Sequence, residues 1–312
     1  MPGNEALLVA VQLPAVLALA PVVNGVIKRC KAFWQNRRGP GIMQPWWDIA
    51  KYLARENVVS EHASWVYRWA PAVNLGATVV AACLVPTIAA VSPLGGIGDA
   101  VTLVGLLALA RFALALAALD TASNFGGMGT SRELLFAALV EPSLLLGLFA
   151  AAAPLGTTDL GQMAAGAAVD VPHALAFACL LIVTIAETGR VPVDNPDTHL
   201  ELTMAHEGML LEYSGRPLGL LLLASHMKQL LLLSLLAALF LPWGMAREAT
   251  LPALALGTAA YLVKVGVLAV GLGLVESLYA KLRIFKVPEL LGTAGVLGLL
   301  AVVAGVTGRV SP

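Results

Sequence analysis

Between residues 187 and 216 the chain reads ETGRVPVDNPDTHLELTMAHEGMLLEYSGR, with His199 and His206 set among Glu187, Asp194, Asp197, Glu201, Glu207 and Glu212. Carboxylates crowded together titrate as a coupled group rather than one by one. If this stretch is helical, Asp197 and Glu201 stand one turn apart and repel unless one keeps its proton. The chemistry such a pattern suits is uptake, storage and hand-over of protons. Metal binding is a second use of these side chains, but the HExxH spacing of a helical zinc site is absent. A solvated acidic loop is the third reading. It sits badly with Leu200, Leu202, Met204, Met209, Leu210, Leu211 and Tyr213, which suit a segment packed at a membrane boundary or against a partner.

Four more ionisable residues stand where charge is expensive. Arg111, Glu141, Lys228 and Lys264 fall inside apolar stretches. Insertion scales put an Arg or Lys at a helix centre at roughly 2.5–3.5 kcal/mol, so such groups must face protein or water, usually beside an opposite charge. They read either as part of an ion or proton path or as fixed salt bridges holding a bundle together. Glu141 is followed by Pro142, which removes a backbone donor and loosens the helix next to the carboxylate.

The elements that must position these groups are membrane spans. Hydrophobic residues make up 59% of the 312-residue chain and charged ones only 12%, half the roughly 25% usual in soluble domains. Crossing the hydrocarbon takes about 20 mostly apolar residues. Seven stretches meet that need, at 6–27, 70–91, 101–119, 134–153, 218–241, 254–275 and 290–306, and a shorter one lies at 171–187. The predicted fold is an all-α polytopic bundle of about eight transmembrane helices, one membrane domain over residues 1–312. No internal repeat of the kind that builds many transporters is evident. Glu5 stands where a secretory signal would carry a basic region, so the first stretch reads as a retained helix. Cys30, Cys83 and Cys179 lie far apart with no CxxC pair, so neither a disulfide framework nor an iron–sulfur or zinc site is expected in this chain.

Lys and Arg gather on one side. The segment after the first span carries Lys28, Arg29, Lys31, Arg37, Arg38, Lys51, Arg55 and Arg68, and the same side adds Arg132, Arg190, Arg216, Lys281, Arg283 and Lys286. The opposite side has only Arg247 and Arg309. The positive-inside rule makes the basic side cytoplasmic and places both termini outside a bacterial-type inner membrane. Residues 28–68 and 188–216 then form cytoplasmic docking loops. In the first loop, 44–57 reads as an amphipathic helix, with Trp46, Ile49, Ala50 and Leu53 on one face and Asp48, Lys51 and Arg55 on the other. Pro45 fits its first turn.

The motifs in these two loops carry a resemblance. The run RRGPGIMQPWWDIAKYLARE at 37–56 is similar to the RxGP…Q…D…K…E signature of the H-type membrane subunit of respiratory complex I. The ETGRVP…EYSG run at 187–215 resembles that family's second signature, and 120–141 is a weaker third match. Gly189, the segment NPDTHLELTMAHE at 195–207 and the late run ESLYAKLRIFKVPEL at 276–290 are closer to the membrane-bound, group 4 nickel–iron hydrogenases, including formate hydrogenlyase. The resemblance implies a membrane anchor beneath the hydrogenase large and small subunits and an iron–sulfur protein, leading protons toward antiporter-like membrane subunits. Nickel–iron and iron–sulfur centres would sit in those partners; no nucleic acid is implied. Docking then falls to Arg37, Arg38, Gly39, Pro40, Gln44, Asp48 and Lys51. The proton path falls to Glu141, Glu187, Asp194, Asp197, Glu201, Glu207 and Glu212, with Arg111, Lys228 and Lys264 as charged partners. A quinone-site membrane component of NADH-quinone oxidoreductase and a stand-alone ion transporter remain as alternatives.

Overall fold

In the computed structural model the described residues are 2–60, 63–89, 94, 98–166, 170–194, 205–246 and 251–310. Among these residues ten α-helices follow in chain order: α1 (Pro2–Trp34), α2 (Gln44–Leu53), α3 (Trp65–Leu84), α4 (Ala100–Asp120), α5 (Asn124–Ala152), α6 (Leu160–Ala165), α7 (Val171–Glu187), α8 (Gly215–Phe240), α9 (Leu251–Leu278) and α10 (Val287–Val310). Among the described residues no strand forms; the β-type pairing present is two isolated bridges, Ala89 with Ala246 and Asp99 with Asp159.

All eight predicted spans fall on helices. Six are long and apolar enough to cross a membrane, α7 is apolar but shorter at 17 residues, and α3, with 20 residues, completes the set. Their starts are chemically marked. Ser64 accepts from the Val66 amide, Ser123 from the Gly126 amide and Asp170 from the His173 amide, each satisfying a donor that the first turn leaves free. The second span ends at Leu84 rather than 91, because Val85 precedes Pro86 and takes the extended backbone that position favours. The first helix runs past Ile27 to Trp34, so Lys28, Arg29 and Lys31 decorate a helix and not a loop. The fourth span, on α5, starts at Asn124, well before Leu134, and continues through Pro142.

α8 is the centre of the bundle, buried without a break from Gln229 to Leu239. It packs against α1, α2, α3, α7 and α9, while α10 lies along α5 and α7, and α4 bridges α3 and α5. In lipid there is no hydrophobic drive between helices, so close packing must hold them. Buried alanines such as Ala81, Ala82, Ala117 and Ala118 serve that purpose. The connections sort to two ends. At one, Val58 meets Ser214 and Lys281 meets Asp194; at the other lie the bridges at Ala89–Ala246 and Asp99–Asp159.

Candidate functional site

Arg111, in the middle of α4, gathers carboxylates from two other helices. Its Nη1 lies 2.5 Å from Glu141 Oε1, its Nη2 donates to Glu187 Oε1, and its Nε is 3.5 Å from Glu133 Oε1. Lys228 of α8 adds its Nζ at 3.5 Å from Glu187 Oε2. A planar guanidinium serves several acceptors at once, which a lysine cannot. The Glu187 side chain is 1% exposed, whereas that of Glu141 is 35% exposed. Two cations against three carboxylates leave one negative charge in excess, which one proton balances.

A second cluster lies just past the end of α7. Arg190 donates to Glu276 Oε1 at 2.8 Å, to Asn24 Oδ1 at 2.7 Å and to Gln229 Oε1 at 2.8 Å, joining α9, α1 and α8. Lys31 stands 3.4 Å from Glu276. Asp194 accepts from Lys281 Nζ at 2.7 Å and from the Ala205 amide at 3.2 Å. Above it is a cavity of about 130 Å³, walled by Asn24, Lys28, Arg190, Asp194, His206, Glu207, His226 and Gln229, among others. A smaller cavity of about 20 Å³ touches Arg111, Glu133, His206 and Lys228. Burial holds the His206 imidazole below its ordinary value, against the upward pull of the Glu133 carboxylate 4.0 Å away.

The two predicted docking loops form one surface. Ser214 Oγ accepts from the Val58 amide at 2.8 Å and donates to the Val58 carbonyl at 3.0 Å. Arg216 Nε donates to the Leu53 carbonyl at 3.3 Å. The rings of Tyr67 and Tyr213 stack at 4.1 Å; Tyr67 donates to the Glu212 carbonyl at 2.6 Å and Tyr213 to the Tyr67 carbonyl at 3.0 Å. Burial pushes the Tyr213 hydroxyl up, with Tyr67 and Asp120 adding to it. Gly215 has φ of +51°, and a Cβ there would fall 2.3 Å from the Glu56 carbonyl oxygen. The EYSG run is therefore a clamp onto the first loop.

Of the path candidates, Arg111, Glu141, Glu187 and Lys228 come together in the first cluster. Asp194 belongs to the second, and Glu207 lines the larger cavity. Asp197 and Glu201 lie outside the described residues. Glu212 is exposed and contributes its backbone carbonyl to the clamp. Lys264 stands apart, buried and 5.0 Å from the Trp243 ring centroid. On the docking side, Arg37, Arg38, Pro40, Gln44 and Lys51 are exposed, while Gly39 and Asp48 are partly covered; Asp48 accepts from Gln44 at 2.9 Å. The amphipathic helix stops at Leu53 instead of 57, and it rests on the bundle through Pro45 and Ile49. Trp46 Nε1 donates to the Ala18 carbonyl at 3.0 Å. Ala50, expected on the covered face, is exposed, because contact with α1 and α8 rotates that face toward Pro45 and Ile49.

Sequence reasoning missed Glu133, the Arg190–Glu276 pair and the two tyrosines. Glu133 escaped because hydropathy starts the fourth span at 134; the cap at Ser123 was the signal that the helix begins earlier. Arg190 and Glu276 each sit in a motif already singled out, yet nothing in spacing pairs residues so far apart.

The comparisons with known proteins agree with this architecture. The chain is 36% identical over 301 residues to hydrogenase-4 component C of Escherichia coli (strain K12), covering 95% of each. It is 35% identical over 285 residues to formate hydrogenlyase subunit 4 of the same organism, covering 90% of this chain and 92% of the relative. The fold superposes on a chain of the membrane-bound sulfane sulfur reductase, an archaeal respiratory membrane complex, with a TM-score of 0.82 over 96% of this chain and 99% of that one, at 20% identity. Residues 6–306 match the family described as NADH dehydrogenase, and with nearly its whole length accounted for the chain belongs to that family, the H-type membrane subunits of complex I and their relatives.

Proposed function

We infer that this chain is the membrane anchor and proton-path subunit of an energy-converting, membrane-bound hydrogenase complex of the formate hydrogenlyase type. The observation that carries this reading is the Arg111 cluster. It reaches from Glu141, 35% exposed, inward to Glu187 and Lys228 and on to Glu133 beside His206. A carboxylate exposed at bilayer depth is costly against lipid, so Glu141 calls for a neighbouring membrane subunit, the antiporter-like partner. The clamped loops form the landing surface for the soluble arm, which holds the nickel–iron and iron–sulfur centres. Both termini lie outside the plasma membrane in this reading, following the basic-residue asymmetry.

Two measurements test it. Purification through a tag on this chain in mild detergent should bring nickel and iron with it; a chain that comes alone, or strong inhibition of the parent complex by quinone-site inhibitors, overturns the reading. Reversing charge at Arg37→Glu with Arg38→Glu should leave the chain inserted and release the soluble subunits. Copurification at parental stoichiometry would place docking elsewhere.

A further inference from the structure

The two charge clusters each have a cavity, and His206, Leu210 and Ser225 line both. Of these three, only His206 has a titratable side chain. Its place is fixed by backbone contact: a Cβ on Gly129 of α5 would lie 2.9 Å from the Ala205 carbonyl oxygen, and one on Gly208 3.3 Å from Gly129 Cα. Glu133 is one turn along α5 from Gly129. The close approach of the two glycines therefore seats His206 Nδ1 4.0 Å from Glu133 Oε1. Arg111 and Lys228 face Glu133, Glu141 and Glu187, a formal −1.

We propose that His206 is the link through which protons pass from the cavity over Arg190 and Asp194 to Glu133 and the Arg111 cluster. The proposal rests on the proton-path reading above and names the residue on which continuity of that path depends. The neutral ring accepts a proton on one nitrogen at the larger cavity and becomes an imidazolium. A side-chain rotation carries that nitrogen toward Glu133, the same proton passes to a carboxylate oxygen, and the ring turns back neutral in its starting tautomer. The 4.0 Å gap exceeds a hydrogen bond, so each transfer needs a small side-chain rotation or one bridging water. The charged groups around the ring are Glu133 from α5, Arg111 from α4, Lys228 from α8, Asp194 from the segment after α7 and Glu207 on its own turn. The formal negative charge of the Arg111 cluster ahead of the ring favours transfer toward Glu133.

The test uses the intact complex in everted membrane vesicles, with hydrogen evolution and proton translocation measured together. His206→Gln and Glu133→Gln should assemble fully and lose translocation by about tenfold or more. The double variant should be little worse than either single one, since both break one step. In His206→Ala, added imidazole should restore translocation, which no purely structural role explains. Parental translocation in an assembled His206→Gln complex, or no rescue of an assembled His206→Ala complex, overturns the link. If both His206 variants fail to assemble, parental translocation in Glu133→Gln overturns it instead. Glu141→Gln separates the two readings: its loss of translocation while His206→Gln is unaffected leaves the path intact without this link. Parental behaviour in both variants removes the path itself.

Discussion

At the scale of single residues, Arg111 is the hub on which three carboxylates depend. Replacing it with Met keeps the volume and deletes the charge, leaving Glu187, 1% exposed, with Lys228 alone at 3.5 Å. Breaking a buried pair by removing one partner typically destabilises by about 3–5 kcal/mol. Arg111→Met should therefore lower the unfolding midpoint of the detergent-purified complex markedly, and a midpoint within a degree or two of the parent would reduce the hub to a bystander. The four charges inside apolar spans were legible as residues that need company, and three of them, Arg111, Glu141 and Lys228, do meet in one cluster. Lys264 does not join them, and its neighbour is the ring of Trp243. Hydropathy marks depth along a helix axis but is blind to the direction a side chain faces, which is why the partners could be counted and not matched.

At the scale of elements, the clamp between the first loop and the EYSG run explains why two motifs so distant in sequence belong together. Its tightest point is Gly215, whose positive φ and contact with the Glu56 carbonyl leave no room for a side chain. Gly215→Ala should part the loops, and trypsin added to everted vesicles should then cut at Lys51 and Arg55 faster than in the parent. Tyr213→Phe keeps the ring stack and loses one hydrogen bond, about 1 kcal/mol, so its cleavage rate should fall between the two. Equal rates in all three proteins would show that the loops are held by something other than the clamp. The spans were readable because lipid imposes length and apolarity; the loops were readable only as motifs, since their hydrogen bonds run mostly to backbone atoms that a sequence does not display.

At the scale of the whole molecule, the two ends of the bundle differ in charge and in connection. The clamp, Lys281–Asp194 and the larger cavity share one end, and the bridges at Ala89–Ala246 and Asp99–Asp159 mark the other. If the chain crosses eight times with its basic end in the cytoplasm, as proposed above, reporters fused after Gln35, Thr130 or Lys281 should report the cytoplasm, and those after Asp159 or Pro312 the outside. A cytoplasmic signal at Pro312 would break the even number of crossings, while a discordant signal at Asp159 alone would indict α7, the shortest of the eight at 17 residues.

The clamp also sets a clock on synthesis. Val58 and Ser214 are 156 residues apart, and at ordinary elongation rates a ribosome needs about 8–30 s to cover that distance. Until then the first loop stands outside the membrane with its bonds to the EYSG run unmade. A nascent chain stalled before Gly215 offers no finished platform, however well its early helices have inserted. Closure of the loops therefore reports that the chain has been made through α7, and docking of the soluble arm proposed above would wait on that signal.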